Sequence, residues 1–430
     1  MIKNDKRVIK GWLMFDWANS VYPLVILSTV FPVYYASIAV EQGKDIISLF
    51  GIEWENTVLL DVILSISYLL VAFMNPILSG IADRTGNKKM FLKIFNGIGV
   101  VGCMSLFFFI EGRIWVGLLG SFLASIGYSG SLVFYNAYLP EIVTEDRQDE
   151  ISAKGFSYGY IGSAMFLIMV LVCTHVFGDT EAEKQVVFRW TFLTLGVWWL
   201  GFAAYSFKRL PANVYNKSES KDWFKSGLKE FKVVFKDLSN HPVLKKYLLS
   251  FFMFSIAVQT MILVAAFFGA KEIHFPEGKK GEYLILMILI IQFIAIVGAR
   301  TFAWISERYG NINGLLFGVT TYTIACIWAY FTYNYISFLF LASLVGFGMG
   351  GIQSLARSTY SKFLPETEDH ASYFSFYDFV EKMSLVIGLL LFGGLEQLTG
   401  SQRYSVLSLV FVFLIAIVLL LRLRKQSKSA

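Results

Sequence analysis

The feature that most constrains this chain is a succession of long apolar segments separated by short polar ones. We predict twelve such segments, and each approaches or exceeds the ~18 apolar residues that indicate a membrane span. Charged residues make up only 16% of the chain, against roughly 25% in soluble domains. The sequence therefore predicts an all-α polytopic membrane protein. The predicted spans are residues 12–38, 58–82, 90–110, 114–139, 152–177, 187–208, 245–270, 283–305, 313–333, 336–362, 373–396 and 403–423.

A charged turn between the second and third predicted spans recurs in the second half of the chain. The first copy is Gly80–Lys89, and a degraded copy, Ser306–Asn311, places its acidic residue 224 positions later. A second landmark, Leu139-Pro140-Glu141, recurs as Leu364-Pro365-Glu366 after 225 positions. Two unrelated landmarks that recur at nearly the same offset indicate that a set of six spans occurs twice in the same orientation. We therefore predict two parallel six-helix bundles, residues 1–208 and 243–430.

The connector between the two bundles, residues 209–242, combines apolar residues at helical spacing with lysines that fall mostly between them. This pattern predicts a basic amphipathic helix on the inner membrane leaflet. An ordinary solvated linker helix is the alternative. The apolar positions are Trp223, Phe224, Leu228, Phe231, Val234, Phe235 and Leu238.

The distribution of lysine and arginine predicts the orientation of the chain. With the N-terminus inside, the inner segments hold 26 of these residues, the outer segments eight and the spans three. Because positively charged loops stay on the cytoplasmic side, both termini are expected there. The net charge of +6 reflects this bias, so nucleic acid is not an expected partner.

Several other functions find no support in the residues. The four histidines do not cluster, so no metal site is expected. There is no Walker A motif that would indicate direct use of ATP. The glycine-rich run Gly346–Gly351 lies inside an apolar helix without a preceding strand, which favours close helix packing over dinucleotide binding. We expect no enzyme activity and no cofactor.

The charged turn itself reads Gly-x-x-Asp-Arg-x-Gly-x-Lys-Lys, which resembles the loop 2–3 signature of the major facilitator superfamily. A glycine at its centre permits a left-handed turn, and its acidic residue can face a helix N-terminus. The second copy has Trp304 in place of the first glycine and lacks the final basic pair. The predicted gating residues are Gly80, Asp83, Arg84, Gly86, Lys88, Glu307 and Arg308.

Three further segments resemble the vacuole-effluxer, autophagy-22-like branch of that superfamily, here in a bacterial-type member. They are Gly11–Ser20, Tyr135–Ile142 and Ile151–Ser163. The second half matches less well, since Phe254–Thr260 has no carboxylate where the family pattern has one. The resemblance implies a twelve-helix major facilitator fold with a central cavity, located in a bacterial inner membrane. It also implies transport of amino acids or small metabolites, since eukaryotic members are linked to amino-acid efflux from vacuoles.

Ionisable and amide side chains inside membrane spans are costly, so they are the first candidates for function. Three carboxylates could couple transport to protons, amides could hydrogen-bond a polar solute, and arginines could hold its carboxylate. Together they could form an inner gate in which acidic groups of one half pair with basic groups of the other. Each could instead be a structural ion pair. The candidates are Asp16, Asn19, Tyr22, Asn136, Tyr158, Gln259, Gln292, Arg300, Gln353, Arg357, Asp378 and Glu381.

The sequence thus favours a gradient-driven symporter or antiporter that moves a small polar metabolite by alternating access. An amino acid or small peptide is the favoured substrate, and a proton is the favoured coupling ion. The expected partners are this solute and the lipid bilayer, with the protein acting as a monomer. Two alternatives remain open: a lipid or lysolipid transporter on the same fold, and a membrane receptor that transports nothing.

Overall fold

The computed structural model describes residues 3–39, 46–49, 51–212, 232–234, 236–237, 240–277 and 279–427. Most of the predicted amphipathic connector helix lies outside these residues. The described part of the chain is almost entirely helical, apart from one short hairpin.

The described residues of the first half form eight α-helices and the hairpin. They are α1 (Lys6–Asn19), α2 (Val30–Ile38), β1 (Ile46–Leu49), β2 (Ile52–Glu55), α3 (Asn56–Thr85), α4 (Lys88–Ser105), α5 (Ile114–Asn136), α6 (Leu139–Ile142), α7 (Gln148–Phe177) and α8 (Glu181–Arg209). A π-helical segment, Pro23–Thr29, joins α1 to α2, and 3-10 turns lie at Leu106–Phe108 and Glu145–Arg147. The antiparallel hairpin pairs Ile46 with Glu55.

The second half contains six long helices. They are α9 (Pro242–Glu272), α10 (Lys280–Tyr309), α11 (Asn311–Tyr330), α12 (Tyr335–Phe363), α13 (His370–Thr399) and α14 (Gln402–Ser427).

All twelve predicted spans coincide with long helices, so the predicted fold class is confirmed. Eleven helical stretches of the described residues are long and apolar enough to cross a membrane, the first of them running from Lys6 to Ile38 through the π segment. The remaining span, α13, is of similar length and carries Asp378, Glu381 and Lys382 in its first half. The π segment and the β1–β2 hairpin were not predicted, because neither interrupts the apolar pattern on which span prediction rests.

Local sequence explains where several helices begin and end. Gly86 ends α3 with a φ of 70°, a left-handed conformation that glycine adopts without steric cost. Gly400 ends α13 in the same way. At the start of α8, Thr180 and Glu183 form a capping box in which each side chain accepts from the other's backbone N–H.

The chain forms two compact units, the first comprising residues 5–137 and 162–228. In this unit α4 packs against α5 and α8, α1 packs against α8, and α3 packs against α5. Large apolar side chains such as Phe73 and Trp190 are more than half exposed on its helices, as expected of a surface that faces lipid.

The second unit comprises residues 1–4, 138–161 and 229–430. In it α10 packs against α12. Helices α9 and α11 both pack against α14, and α9 also packs against α13. The predicted spans 2 and 4 are α3 and α5, and they pair as spans 8 and 10 (α10 and α12) do here. Spans 3 and 6 (α4 and α8) likewise pair as spans 9 and 12 (α11 and α14) do. This repeated pattern agrees with two copies of one six-helix arrangement. The predicted domain limits at residues 208 and 243 remain predictions, and the first half of α7 groups with the helices of the second half.

Helices α10 and α12 approach each other through glycine. A Cβ atom on Gly346 would lie 2.8 Å from the carbonyl oxygen of Ile291, and one on Gly350 would overlap the backbone of Ala295. The predicted packing role of the glycine-rich run is thereby confirmed, because only glycine leaves room for the facing backbone.

Candidate gating and coupling sites

A break in the chain before α7 sets the position of the first site. Pro140 lies in the first turn of the short helix α6, and Val143 and Thr144 that follow are extended. Asn4 holds this break, since its amide donates to the Thr144 hydroxyl at 2.8 Å and its side-chain oxygen accepts from the Thr144 backbone N–H at 3.2 Å. As a result Asp149 lies in the first turn of α7.

Asp149 is buried and accepts hydrogen bonds from three side chains of the second half. Lys362 Nζ lies 2.7 Å from its Oδ2 atom, and Ser306 Oγ donates to the same oxygen at 2.8 Å. Asn311 Nδ2 donates to Oδ1 at 2.8 Å. We call these four residues the Asp149 cluster. Because a buried carboxylate is costly unless it is paired and hydrogen-bonded, the cluster is a specific contact of α7 with α10, α11 and α12.

The second loop motif reaches the Asp149 cluster through its neutral end residues. Ser306 and Asn311 are the first and last residues of that motif, and they make the contacts. Glu307 and Arg308, the predicted gating residues, are exposed, and Arg308 lies near the ring of Trp304. Asp149 was missed. The sequence signal for Asp149 is an acidic residue in the first turn of a span that follows a helix break. The N-terminus of a helix favours negative charge.

Arg357 joins α12 to α7 one turn further along. Its Nε donates to Ser152 Oγ at 3.0 Å, its Nη2 donates to the Ser152 carbonyl at 3.0 Å, and the guanidinium lies 4.3 Å from the centre of the Phe156 ring. The next turn repeats the link, since the Tyr160 hydroxyl donates to Gln353 Oε1 at 2.9 Å. One face of α7 therefore lies along α12, held by Arg357 and by Gln353, both of which were predicted as site residues.

A third polar contact involves the repeated Leu-Pro-Glu motif. Glu141 Oε1 lies 3.0 Å from Nδ1 of His370 at the start of α13, and both side chains are buried. The Asp149 cluster, the Arg357–Ser152 contact and this pair all join residues before the connector to residues after it. All three lie within the second compact unit.

The first half of helix α13 carries two carboxylates with different partners. Asp378 is buried and forms an ion pair with Lys382 one turn later, as the spacing predicted. Glu381 is half-buried and accepts a hydrogen bond of 2.6 Å from Gln259 Nε2 on α9. One carboxylate is thus paired with a cation, and the other is bound by a neutral amide.

Asp16 lies in an aromatic environment in the first unit. The hydroxyl of Tyr135 donates to Asp16 Oδ2 at 2.5 Å, and the Tyr135 ring stacks on Trp12 at 4.6 Å and on Phe15 at 5.0 Å. Trp12 Nε1 donates to the Tyr135 carbonyl at 3.0 Å. Asn19, one turn after Asp16, is also buried. These contacts fix the Asp16 carboxylate against α5.

The remaining predicted binding residues differ in their surroundings. Tyr22 is fully buried between the rings of Tyr128 and Trp199, which makes it part of the aromatic core of the first unit. Gln292 is buried on α10. Asn136 and Tyr158 are half-buried, at the end of α5 and in α7 respectively.

Arg300 has surroundings of another kind. Its side chain is exposed, on a stripe of α10 that also carries the exposed apolar residues Phe293, Val297 and Trp304. Residues at this spacing lie on one helix face. A face dominated by exposed apolar side chains favours contact with lipid, where a long cationic side chain can reach toward the headgroups.

The first loop motif has the local structure that its sequence predicted. Gly80, Asp83 and Lys88 are buried, Arg84 is exposed, and Gly86 forms the left-handed turn. The neighbouring Lys89 donates to the carbonyl of Leu210 at 2.6 Å, which ties the turn to the end of α8.

No group of three or more histidine, cysteine, aspartate or glutamate side chains suited to a metal ion occurs in the part of the chain that the structure describes.

Comparison with known sequences matches nearly the whole chain. The profile of the family described as "Vacuole effluxer Atg22 like" matches residues 4–430. The uncharacterized MFS-type transporter YxiO of Bacillus subtilis is 32% identical over 424 residues, which cover 98% of this chain and 95% of that protein. Autophagy-related protein 22 of Saccharomyces cerevisiae (strain ATCC 204508 / S288c) is 22% identical over 489 residues, covering 94% and 89% of the two chains.

Solved structures with the same fold are more distant in sequence. The fucose:proton symporter FucP of E. coli superposes with a TM-score of 0.71 at 12% identity and covers 97% of both chains. The human organic anion transporter MFSD10 gives 0.71 at 12% identity, covering 97% of this chain and 100% of that one. A bacterial homologue of the iron transporter ferroportin gives 0.68 at 13% identity, covering 98% and 100%. At these identities the similarity establishes the fold alone.

Proposed function

We propose that this chain, which belongs to the family of Atg22-like vacuole effluxers, moves a small polar metabolite across the membrane. In this proposal the metabolite moves in exchange or in symport with protons. The protein is a multi-pass secondary transporter of the major facilitator superfamily. Its substrate, its driving ion and its orientation are the subjects of the proposal.

The contrast between Asp378 and Glu381, in the first half of α13, is the observation that carries the proton-coupling proposal. Protonating Asp378 would leave the ammonium group of Lys382 without its ion-pair partner, which is costly in a poorly solvated site. The hydrogen-bond partner of Glu381 is the amide of Gln259, which can bind a carboxyl group in either protonation state. In this proposal a proton reaches Glu381 along its partly exposed side. We therefore assign proton binding to Glu381, with buried Asp16 as the second candidate.

An amino acid or small peptide stays the favoured substrate of this proposal, as the sequence resemblance implies, and the family description as vacuole effluxers agrees with transport of a solute. The predicted binding side chains agree in chemistry, since amides can hydrogen-bond an amino group or a carbonyl group. Gln259, Gln292 and Asn19 are such amides on spans 7, 8 and 1. The exposed apolar surroundings of Arg300 do not favour a role in binding the substrate carboxylate.

The polar contacts of α7 supply the gate in this proposal. Alternating access requires contacts between the two halves of the sequence that form in one state and break in another. The Asp149 cluster and the Arg357–Ser152 contact have this character. With the orientation that the lysine and arginine distribution predicts, they lie at the cytoplasmic end and close it. We further propose an inner-membrane location with both termini cytoplasmic, and a monomer.

The proposal is tested in two steps on the purified full-length protein. A thermal-shift screen against amino acids, dipeptides, sugars and nucleosides identifies ligands. Each ligand that stabilises the protein is then followed in proteoliposomes with and without an imposed pH gradient. We expect an amino acid or dipeptide to be taken up, with a rate that depends on the gradient. Uptake that ignores the gradient would refute proton coupling, and movement of lipid without any solute would favour the lipid-transporter alternative.

A further inference from the structure

Helix α3, in the first compact unit, carries a row of polar side chains along one face of its membrane span. The row consists of Asp61, Ser65, Tyr68, Asn75 and Ser79. Their intervals of four, three, seven and four residues place all five on one side of a helix. Because polar side chains in hydrocarbon are costly, the row marks a face of α3 that serves for something other than contact with lipid.

The other faces of α3 have different surroundings. Ser67 is fully buried on a second face, and its hydroxyl donates to Ser125 Oγ of α5 at 2.5 Å. Leu70 and Phe73 are exposed on a third face, as expected of side chains that contact lipid. The packing face and the lipid face of α3 are therefore both distinct from the polar row.

The polar row is exposed at one end only. Asp61 and Ser65 are exposed and Tyr68 is half-buried, whereas Asn75 and Ser79 are fully buried. An exposed polar surface inside a membrane span is stable when water covers it. We therefore take the end of the row that begins at Asp61 as the part of α3 in contact with water.

Asp61 has no counter-charge. It forms neither a hydrogen bond nor an ion pair with any residue that the structure describes. Ionisable side chains within spans usually pair with one another or with backbone carbonyl groups, and those that do so mark paths of substrates and ions. An exposed carboxylate without a partner in the protein is suited to bind a cationic group from outside it.

A second group without a partner lies close to Asp61. The side chain of Tyr35 on α2 is fully buried, and its hydroxyl has no hydrogen-bond partner among the described residues. Asp61 is within electrostatic range of this hydroxyl. The two helices are joined where α3 begins, since Asn56 Nδ2 donates to the Ala39 carbonyl at 2.9 Å. Because buried hydroxyls are nearly always hydrogen-bonded, the Tyr35 hydroxyl is a second group that a ligand of Asp61 would satisfy.

We propose that Asp61 binds the ammonium group of the transported solute, with the hydroxyls of Tyr35 and Ser65 as further acceptors. This inference rests on the proposed function, in which the solute is an amino acid or small peptide, and it names the residue that recognises the amino group. A primary ammonium group has three N–H donors, which one carboxylate and two hydroxyls can accept. A calcium ion fits less well, because it takes about six to eight oxygen ligands.

The first experiment measures the local charge and needs no knowledge of the solute. Full-length S65C is treated at low ionic strength with a cationic or an anionic methanethiosulfonate reagent, and modification of residue 65 is followed by mass spectrometry. We expect the cationic reagent to react faster. D61N should lower the ratio of the two rates by about fivefold to tenfold, the effect of one charge at about 6 Å on reagents of opposite sign.

Two controls accompany this measurement. L70C, on the apolar face, should react with neither reagent. E55Q in the S65C background should leave the rate ratio unchanged, because exposed Glu55 immediately precedes α3 and lies about 15 Å from Ser65 along the helix axis.

The second experiment tests the ligand itself. Methylammonium carries the ammonium group alone, and sodium at equal ionic strength is the reference. Binding is measured from the shift of the thermal unfolding temperature of the full-length protein. We expect D61N to bind methylammonium about tenfold more weakly than the wild type, and E55Q to bind it equally well. Because Asp61 has no partner in the described part of the protein, D61N should fold as the wild type does.

The outcomes separate this site from the proposed function. If S65C reacts with neither reagent, or if D61N leaves the rate ratio unchanged, Asp61 does not lie on a water-exposed anionic surface and the proposal is wrong. Methylammonium that stabilises the wild type and D61N equally, or neither of them, overturns the assignment of the ammonium group, and this second experiment decides should S65C not fold. Failure of the proposed function would instead appear as flux that ignores the pH gradient, with both effects of D61N intact.

Discussion

Buried Asp149 in the first turn of α7 and partly buried Lys362 near the end of α12 form an ion pair of 2.7 Å across 213 positions of sequence. The two residues come from opposite sides of the connector and lie in one compact unit. Ser306 and Asn311 complete the hydrogen bonds of the carboxylate. The second copy of the loop motif thus contacts Asp149 through its neutral polar residues, whereas its charged residues, Glu307 and Arg308, are exposed.

Replacing Asp149 with asparagine should destabilise the protein by about 3 kcal/mol, because it leaves the partly buried ammonium group of Lys362 without its counter-charge. The measurement is thermal or denaturant unfolding of the purified protein in detergent. The double variant D149N/K362M should lose less stability than the sum of the losses in the two single variants, since both charges are removed together.

The matched control for this change is E150Q. Glu150 is the next residue, and its pairs with Arg147 and Lys154 are about one-third or more exposed. Exposed ion pairs contribute at most about 1 kcal/mol, so E150Q should change stability little. Equal losses in D149N and E150Q would contradict a specific role for the Asp149 cluster.

Replacing Gly350 with alanine should cost several kcal/mol, because the added methyl group would overlap the backbone of Ala295 and force α10 and α12 apart. Gly201 in α8 is the control, since nothing lies within 4 Å of a Cβ atom placed there. G201A should be neutral or stabilising by up to about 1 kcal/mol, the helix propensity difference. Unfolding temperatures of the two variants test this prediction, which a tolerated G350A would refute.

Glu381→Gln should abolish the dependence of transport on the pH gradient and leave the protein folded. A glutamine can still hydrogen-bond Gln259 but cannot carry a proton. The measurement is solute flux in proteoliposomes at several values of internal and external pH, together with counterflow at equal pH. Counterflow should persist in E381Q, because exchange of solute needs no net proton movement.

Asp378→Asn should behave differently from E381Q. It leaves Lys382 without its ion-pair partner, so we expect lower stability, by about 3 kcal/mol or more. If D378N were stable and uncoupled while E381Q stayed fully coupled, proton binding would have to be assigned to Asp378.

Replacing Tyr135 with phenylalanine should destabilise the first unit by about 1–3 kcal/mol. The change removes the hydroxyl that donates to buried Asp16 and leaves the carboxylate short of a donor. Tyr309→Phe is the control, because that side chain is 55% exposed and its hydroxyl can be replaced by water. The double variant Y135F/D16N should recover part of the stability that Y135F loses. If the stability losses of Y135F and D16N simply added, that result would argue against the Asp16–Tyr135 contact.

The spans, the repeat and the family could be read from the sequence because each rests on local pattern. Apolar length sets where a helix crosses a membrane, and Gly86 sets where α3 ends. The pair of Asp378 and Lys382 was also predictable, since both lie on one helix at a fixed spacing. The contact of Arg357 with Ser152 was not predictable, because Ser152 is neutral and no charge pattern singles it out.

The sequence by itself determined that this protein is a bundle of twelve membrane helices built from two like-oriented repeats, because burying backbone hydrogen bonds in lipid leaves few alternatives to helices. Only the tertiary structure decided which polar residues meet. Asp149, Ser306, Asn311 and Lys362 are brought together from four helices, and Arg300 is left on an exposed apolar face. The physical reason is that hydrogen bonds and ion pairs act over a few ångströms in space, and the distance between two residues in sequence does not fix that separation.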